Sequence, residues 1–245
     1  MVRSLEWLRT LDKARHQVRA ETPLAVVTGP IDKYAAKCAG YSFPGQTEFF
    51  ADLWQTPAIM ILAGPQLRVG LATNHLALRD VPGSLTQRLI VDKLLLLSQS
   101  MREIYGIATP RIAVCGLNPH ASDQGLFGDE EARVIVPAIT EARLHLGKSA
   151  TLVGPVPADT AFYFGYKGEF DCVLAMYHDQ GLGPLKTVHF DNAVNISGGL
   201  RHFRVSPDHG PASDLYLRGR ASPASLVQAI NLAVSYLRHK GSPGR

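Results

Sequence analysis

The sequence predicts an α/β fold in which helices flank a mostly parallel sheet. Short apolar runs recur along the chain and end in Gly, Pro or polar residues, a pattern typical of buried strands. Longer segments with apolar residues at helical spacing alternate with these runs, and polar side chains repeatedly follow a predicted strand. A chain of 245 residues is long enough to bury a substantial core around such a sheet.

The first half of the chain predicts a surface helix, a strand and a hairpin. Residues 4–20 carry an amphipathic stripe and predict the helix, and residues 24–27 predict a short buried strand. The apolar runs 58–63 and 67–72 are separated by a Gly-Pro-Gln turn, which indicates a hairpin.

A long helix is predicted to follow this hairpin, from Ser84 to Ile104. Ser84 and Gln87 have the spacing of a capping box, so we expect the helix to begin at Ser84. Gly106 stands where a glycine would end it.

The second half of the chain predicts further strands and two helices. The strand-like runs are residues 112–115, 151–153, 172–176, 194–196 and 203–205. A helix is expected from about residue 129 to 146, bent by Pro137. The last helix begins after Ser222, and its packing stripe is predicted to be Leu226, Ile230, Val234 and Leu237.

Composition restricts the class of partner. The formal charge is +4 and the pI is about 9.0, but Lys and Arg are scattered and never form a run interleaved with aromatic residues. This favours a small anionic ligand over nucleic acid. Three widely spaced cysteines indicate a reducing cytoplasm. No apolar run is long enough to span a bilayer, so no membrane partner is expected.

The stretch from Tyr177 to Lys186 carries the densest group of reactive side chains. It follows the apolar run 172–176 and predicts a strand end continued by a loop that contains Gly and Pro. Ligands of open α/β sheets bind beyond the carboxyl ends of strands, and the lysine favours an anionic one. His178 could bind a metal or act as an acid or base. A turn in which His178 and Asp179 cap each other is the alternative.

Three histidines, His75, His120 and His178, each follow a strand-like run. Because parallel strands end on one side of a sheet, we expect the three imidazoles to meet there. Neutral imidazoles from separate strands commonly hold a divalent metal and leave positions open for substrate. The alternative is three separate histidines that cap loops, since residues so far apart in sequence do not decide the matter by spacing.

Six short motifs occur in order between about Leu24 and Ala221. They are Gly45-Gln46-Thr47-Glu48-Phe49-Phe50, Asn118-Pro119-His120-Ala121, Gly154-Pro155-Val156-Pro157-Ala158-Asp159-Thr160, Tyr177-His178-Asp179-Gln180-Gly181-Leu182 with Lys186, Asn195-Ile196, and Asp208-His209-Gly210. The series resembles the motifs of the 4-hydroxythreonine-4-phosphate dehydrogenase family of vitamin B6 synthesis. The resemblance implies an isocitrate/isopropylmalate-dehydrogenase-like fold without its N-terminal part, and a homodimer with its active site at the subunit interface.

The resemblance also implies roles for single residues. The implied metal ligands are His75, His120 and His178, which together with Lys186 are the implied catalytic residues. The implied substrate-binding residues are Gln46, Thr47, Lys186, Asn195 and Arg204, and the implied cofactor contacts are His209 and Asp214. Asp159 could orient a ligand histidine or cap its own turn. Residues 1–245 are expected to form one unit, with metal and substrate residues in 24–205 and the nucleotide-side loop and last helix in 206–245.

The implied reaction is a metal-dependent oxidation and decarboxylation of 4-phosphohydroxy-L-threonine, with Zn, Mg or Co and with NAD or NADP as cofactors. Family members begin with a further Gly-rich motif that this sequence does not contain. Gln46 stands where the family has a histidine, and an amide cannot carry a proton. Tyr216 and Leu217 replace a small Ala-Gly pair. Two alternatives therefore stay open: a paralogue for threonate or erythronate 4-phosphate, and a silent homologue that binds metal and a phosphorylated metabolite.

Overall fold

An eight-stranded mixed sheet organises the chain. The computed structural model describes residues 24–38, 40–212, 215 and 220–241, so the predicted helix over residues 4–20 and the predictions on Asp214, Tyr216 and Leu217 lie outside it. The strands are β1 (Ala25–Val27), β2 (Ile59–Ala63), β3 (Arg68–Leu71), β4 (Arg111–Cys115), β5 (Thr151–Val156), β6 (Cys172–Ala175), β7 (Val194–Gly198) and β8 (Phe203–Pro207). Their order across the sheet is β1-β8-β7-β2-β3-β6-β4-β5.

Four of the seven neighbouring strand pairs are parallel, which confirms the predicted α/β class with a mostly parallel sheet. The antiparallel pairs are β2 with β3, β2 with β7 and β7 with β8. The first of them is the predicted hairpin. As a consequence, β8 and β1 run opposite to β3, β6 and β4, and not all predicted strand ends lie on one side.

Helices cover both faces of the sheet. They are α1 (Lys33–Cys38), α2 (Gln46–Trp54), α3 (Val81–Ser84), α4 (Gln87–Tyr105), α5 (Val136–Leu146), α6 (Ala158–Tyr166), α7 (His178–His189) and α8 (Ala224–Gly241). Residues of α4, α5 and α8 share one buried apolar cluster, and residues of α6 and α7 share a second cluster on the opposite face. Within the described residues, no helix is both long and apolar enough to cross a membrane.

The predicted start of one helix was wrong: α4 begins at Gln87 and not at Ser84. Thr86 caps α4 by accepting a hydrogen bond from the Leu89 N–H, whereas Ser84 ends the short helix α3. The helix predicted over residues 129–146 is present, since α5 continues without a break from the helical turn before it, and Pro137 lies in the first turn of α5. The preceding turn, Glu131–Ile135, is π-helical.

The predicted loop between Tyr177 and Lys186 is helical. Tyr177 is the N-cap residue of α7, which continues through Pro184 to His189. Gly181 explains how a segment rich in helix-breaking residues can pack here. A Cβ at Gly181 would lie 2.7 Å from Val69 Cγ1, so the missing side chain lets α7 lie directly on β3.

The predicted apolar stripe of α8 is not the face that packs. Leu226, Ile230, Val234 and Leu237 are 36–46% exposed, whereas the small residues Ala229 and Ala233 are buried together with Tyr236. Tyr236 stacks on Phe203 of β8, with the ring centroids 4.7 Å apart. The small side chains allow a close approach to the sheet that a leucine stripe would prevent.

Gly181→Ala should destabilise the protein, and Gly183→Ala is its matched control in the same helix. The Gly181 variant must move Val69 or α7, at an expected loss of about 1–3 kcal/mol in the free energy of unfolding. A Cβ at Gly183 meets nothing within 4 Å, and this variant should gain up to about 1 kcal/mol from helix propensity. Urea unfolding of both variants checks the prediction, and equal effects would contradict the described packing of α7.

Acidification should weaken the fold between pH 7.5 and 5.5. Burial lowers the pKa of His189 below its ordinary value of about 6.5. As the pH falls through that value, His189 takes up a proton in the unfolded chain but not in the folded chain. The free energy of unfolding that is present at neutral pH therefore decreases by up to about 1.4 kcal/mol per pH unit. Urea unfolding across this range should show that the free energy of unfolding depends less steeply on pH in His189→Gln than in the wild type. An unchanged dependence on pH would contradict the role of His189.

Candidate functional site

A cavity of about 340 Å³ lies on the face of the sheet that carries α7. Its lining includes Met60 of β2, Asn195 of β7 and Arg204 of β8. Met60 pairs with Ser197, and Ser197 pairs with Arg204, so these side chains point to one face. The site therefore extends from the strand ends, where the histidines were predicted, along the middle of antiparallel strands.

His75 and His178 lie together at one side of this cavity, with their ring centroids 5.6 Å apart. They follow the neighbouring parallel strands β3 and β6. The two segments stay in contact beyond the strands, because the N–H and the hydroxyl of Thr73 both donate to the Met176 carbonyl, at 3.2 and 2.7 Å. The predicted convergence thus holds for two of the three histidines.

Both imidazoles can present a lone pair. His178 Nδ1 lies 2.6 Å from Oδ1 of the exposed Asp179. Because an ionised carboxylate only accepts hydrogen bonds, Nδ1 carries a proton, and in the neutral ring Nε2 is the nitrogen with the lone pair. Burial, assisted by the nearby Lys33, lowers the pKa of His75 and favours its neutral form.

Arg204 is the most deeply buried cation of the cavity wall, at 2% exposure. Its Nη2 donates to Thr28 Oγ1 at 2.7 Å and to Gln46 Oε1 at 3.0 Å, and its Nη1 donates to Ser197 Oγ at 3.3 Å. Its Nε has no hydrogen-bond partner. Burial lowers the pKa of Arg204 to about 10, so the side chain stays charged at neutral pH.

The partners of Arg204 are neutral oxygen atoms. Within the described residues, no Asp or Glu forms an ion pair with it. Gln46 is fixed at both ends of its amide, since its Nε2 also donates to the Gly29 carbonyl at 3.1 Å. The amide of Gln46 therefore orients a buried cation.

Lys186 supplies a second cation and is held by Asp208. Lys186 Nζ lies 3.4 Å from Asp208 Oδ2 and donates to the Asp208 carbonyl at 3.2 Å. Burial raises the pKa of Asp208, and Lys186 opposes the rise. The Asp208 N–H donates to Ser225 Oγ of α8, which fixes the end of β8 beside the cavity.

Thr47 and Asn195 complete the wall. Thr47 lies in the first turn of α2, whose N-cap residue is Gly45. Its hydroxyl lies 2.8 Å from Ser197 Oγ and joins the network around Arg204. Asn195 Oδ1 is buried without a hydrogen-bond partner.

His120 lies elsewhere. Together with Asp159 and Tyr177 it lines a separate cavity of about 380 Å³. Its loop turns away from β4 because five consecutive residues, His120 to Gln124, have positive φ. In the described residues of one chain, no group of three His, Cys, Asp or Glu side chains could hold a metal ion. The expectation that three imidazoles meet within one chain was wrong, and their joint role as ligands stays a prediction.

The remaining predicted residues have simpler surroundings. Asp159 is exposed and its Oδ1 accepts from the N–H of Thr160, so in this chain it caps its own turn. His209 lines the same cavity as His75 and His178, and its Nδ1 lies 2.8 Å from the Gly210 carbonyl.

Sequence reasoning missed three residues of the site. Ser197 and Thr28 hold Arg204, and Asp208 holds Lys186. Alternation along β7 could have indicated Ser197, two residues after Asn195. Thr28 and Asp208 stand at the ends of predicted strands, but without the pairing of β1 with β8 nothing in the sequence joins them to their partners.

Comparison with known proteins gives the family. The family model described as pyridoxal phosphate biosynthetic protein PdxA matches residues 4–233. The chain belongs to this family. A relative from Desulfosudis oleivorans, named 4-hydroxythreonine-4-phosphate dehydrogenase, is 49% identical over 86% of this chain and 62% of its own length. A relative of the same name from Ralstonia nicotianae is 47% identical over 88% of this chain and 65% of its own length.

A solved structure supports the same conclusion on the fold. The crystal structure of 4-hydroxythreonine-4-phosphate dehydrogenase from Klebsiella pneumoniae superposes with a TM-score of 0.77 and 41% identity, covering 87% of this chain and 64% of that one. The isocitrate/isopropylmalate-dehydrogenase-like fold predicted for this PdxA chain is confirmed. The chain spans somewhat less than two thirds of the length of these relatives.

Proposed function

We propose that this chain takes part in the NAD(P)-linked oxidation and decarboxylation of 4-phosphohydroxy-L-threonine in pyridoxal phosphate synthesis. In this reaction the carbinol carbon gives a hydride to the nicotinamide and the hydroxyl gives up its proton. The resulting β-keto acid then releases carbon dioxide, and the carbon left behind takes up a proton. Three relatives named for a dehydrogenase of this substrate support the proposal.

The buried charge of Arg204 is the observation that carries the proposal. A buried guanidinium is costly unless it is compensated. The hydrogen-bond partners of Arg204 in this chain are neutral, and the nearby Glu48 carboxylate favours its charge without forming an ion pair with it. An anionic group of the ligand would provide the missing charge, and a planar guanidinium suits a phosphate or carboxylate.

Other groups of the cavity favour the same ligand. Lys33, Lys186 and Arg204 line it, against the single carboxylate of Asp208 among its described lining residues. The N-terminus of α2, at Gln46 and Thr47, also faces the cavity, and N–H groups at a helix N-terminus favour an anion.

A divalent metal, zinc, magnesium or cobalt, fits part of the donor set. His75 and His178 are two neutral nitrogen donors on one cavity wall, as such a site requires. We propose that His120 of the partner subunit completes the set in a homodimer. Its exposed loop supports this arrangement, since Leu126 and Phe127 are 73% and 45% exposed. When bound, the ion would supply a positive charge that favours ionisation of the substrate hydroxyl.

The nicotinamide cofactor would approach from the side of His209, and Asp214, outside the described residues, stays a predicted contact. His209 is exposed on the cavity rim. With these assignments Lys186 and Arg204 bind and orient the substrate anion, and the apolar side chains of Met60 and Leu62 limit access of water. A cytoplasmic location is part of the proposal.

Calorimetric titration with NAD and NADP in the presence of zinc, followed by absorbance at 340 nm with substrate, tests the proposal. Binding of the cofactor and formation of reduced nicotinamide are expected. Binding of metal and substrate without either signal would overturn the dehydrogenase proposal in favour of a silent binding homologue. The fixed amide of Gln46 favours that second candidate, because it leaves no proton carrier at this position. Threonate and erythronate 4-phosphate in the same assay test the paralogue.

A further inference from the structure

We propose that Glu131 is the positioning residue that sets the place of His120. The inference rests on the proposed function in one respect, the role of His120 as a metal ligand. The contacts that carry it are independent of that role.

The Glu131 carboxylate accepts three hydrogen bonds from the start of the His120 loop. Its Oε1 accepts from the N–H groups of Leu117 and Asn118, both at 2.8 Å. Its Oε2 accepts from Asn118 Nδ2 at 2.9 Å. Asn118 is the N-cap residue of the 3₁₀ turn that contains His120, so these bonds fix the backbone two residues before the imidazole.

The Glu131 carboxylate depends on these three hydrogen bonds because it is buried. Glu131 is 3% exposed, and within the described residues it forms no ion pair with Lys, Arg or His. The three N–H donors are therefore its compensation, and the carboxylate would be left unsatisfied if the loop moved away. Carboxylate and loop thus depend on each other.

The loop needs such an anchor because its backbone is strained. His120 to Gln124 all have positive φ, although none is glycine. Left-handed conformations of this kind persist only where the surroundings impose them. Ser122 supports the far end, donating to the Gly128 carbonyl and accepting from the Gly125 N–H. Glu131 supports the near end.

A π-helical turn and a nearby glycine allow Glu131 to contact the loop. Glu131 begins the π-helical turn that precedes α5, and such turns are frequent at functional sites. A Cβ at Gly116 would lie 3.0 Å from Glu131 Oε1 and 2.8 Å from Ala121 Cα. The glycine therefore leaves room for the carboxylate and the loop to lie together at the end of β4.

Glu131→Gln is the decisive variant, and Glu130→Gln is its matched control. Glutamine keeps the size of the side chain, but its amide nitrogen would face the donor Asn118 Nδ2. Glu130 undergoes the same chemical change one residue away, and it accepts only from Asn118 Nδ2. Two measurements are made on the full chain: Co²⁺ affinity from the visible absorption of the bound ion, and amide hydrogen exchange of residues 117–125.

We expect Glu131→Gln to weaken Co²⁺ binding by about 10- to 100-fold and to accelerate exchange across the loop, while exchange in β2 and β6 stays as in the wild type. Glu130→Gln should change the affinity by less than about threefold. Unchanged loop exchange in Glu131→Gln would overturn the inference, as would equal effects of the two variants. If the wild type or His120→Ala shows that His120 binds no Co²⁺, the proposed metal site fails, and loop exchange alone still decides the role of Glu131.

Discussion

Replacing Arg204 with methionine should weaken the binding of inorganic phosphate by about 100-fold or more, because truncating a buried charged partner costs several kcal/mol of binding free energy. The same change should leave the free energy of unfolding unchanged or raise it. Arg204 is buried among neutral oxygen atoms, and we expect relief of the cost of burying its charge to offset the hydrogen bonds that are lost.

Titration calorimetry for phosphate and urea unfolding measure the two effects. Arg201→Met is the control, since Arg201 is exposed and its loss removes the same formal charge; we expect less than about a threefold change in affinity. Arg204→Lys should give an intermediate loss of phosphate affinity, because a lysine keeps the positive charge but lacks the planar guanidinium with its paired donors. Equal affinity of Arg204→Met and the wild type would place the anion elsewhere in the cavity.

The sequence predicted the strands well because their signal is local. Short apolar runs bounded by turn residues correspond to β2, β4 and β6, and the Gly-Pro turn correctly indicated the hairpin. The order of the strands was not predictable in this way. The pairing of β1 with β8 joins Val26 to Arg204 across most of the chain, and no local pattern encodes it.

Two predictions, the loop after Tyr177 and the packing stripe of α8, were wrong for the same physical reason: tertiary packing outweighed local propensity. The stretch after Tyr177 contains Gly181 and Pro184, which argued for a loop, but close packing on β3 makes the glycine useful inside a helix. In α8 the small residues Ala229 and Ala233 pack, because the sheet lies too close for a leucine stripe. Helix periodicity shows which residues share a face and leaves open which face is buried.

The candidate site was predicted residue by residue but not as one assembly. The cavity brings together His75, His178, Lys186, Asn195 and Arg204, as the motifs indicated. His120 was expected with them because it also follows a strand-like run, and parallel strands end on one side of a sheet. The run of positive φ values after Pro119 could not be foreseen, since these conformations are rare for residues other than glycine.

The second large effect concerns metal binding. His75→Ala and His120→Ala should each abolish tight zinc binding, because a site with two of its three nitrogen donors loses much of its affinity. Their free energies of unfolding should change little, since neither side chain belongs to the two buried apolar clusters. Zinc titration with a competing chelator measures the loss, and tight binding by His120→Ala would exclude its proposed role.

Mixing these two variants tests the shared site most directly. The two proteins are unfolded and refolded together, and the zinc bound per chain is measured. If His75 and His178 of one subunit meet His120 of the partner subunit, each mixed dimer has one intact site, and random pairing restores about a quarter of the wild-type zinc. A mixture of His75→Ala and His178→Ala should restore none. Equal failure of both mixtures, with mixed dimers confirmed to form, would contradict a metal site built from two chains.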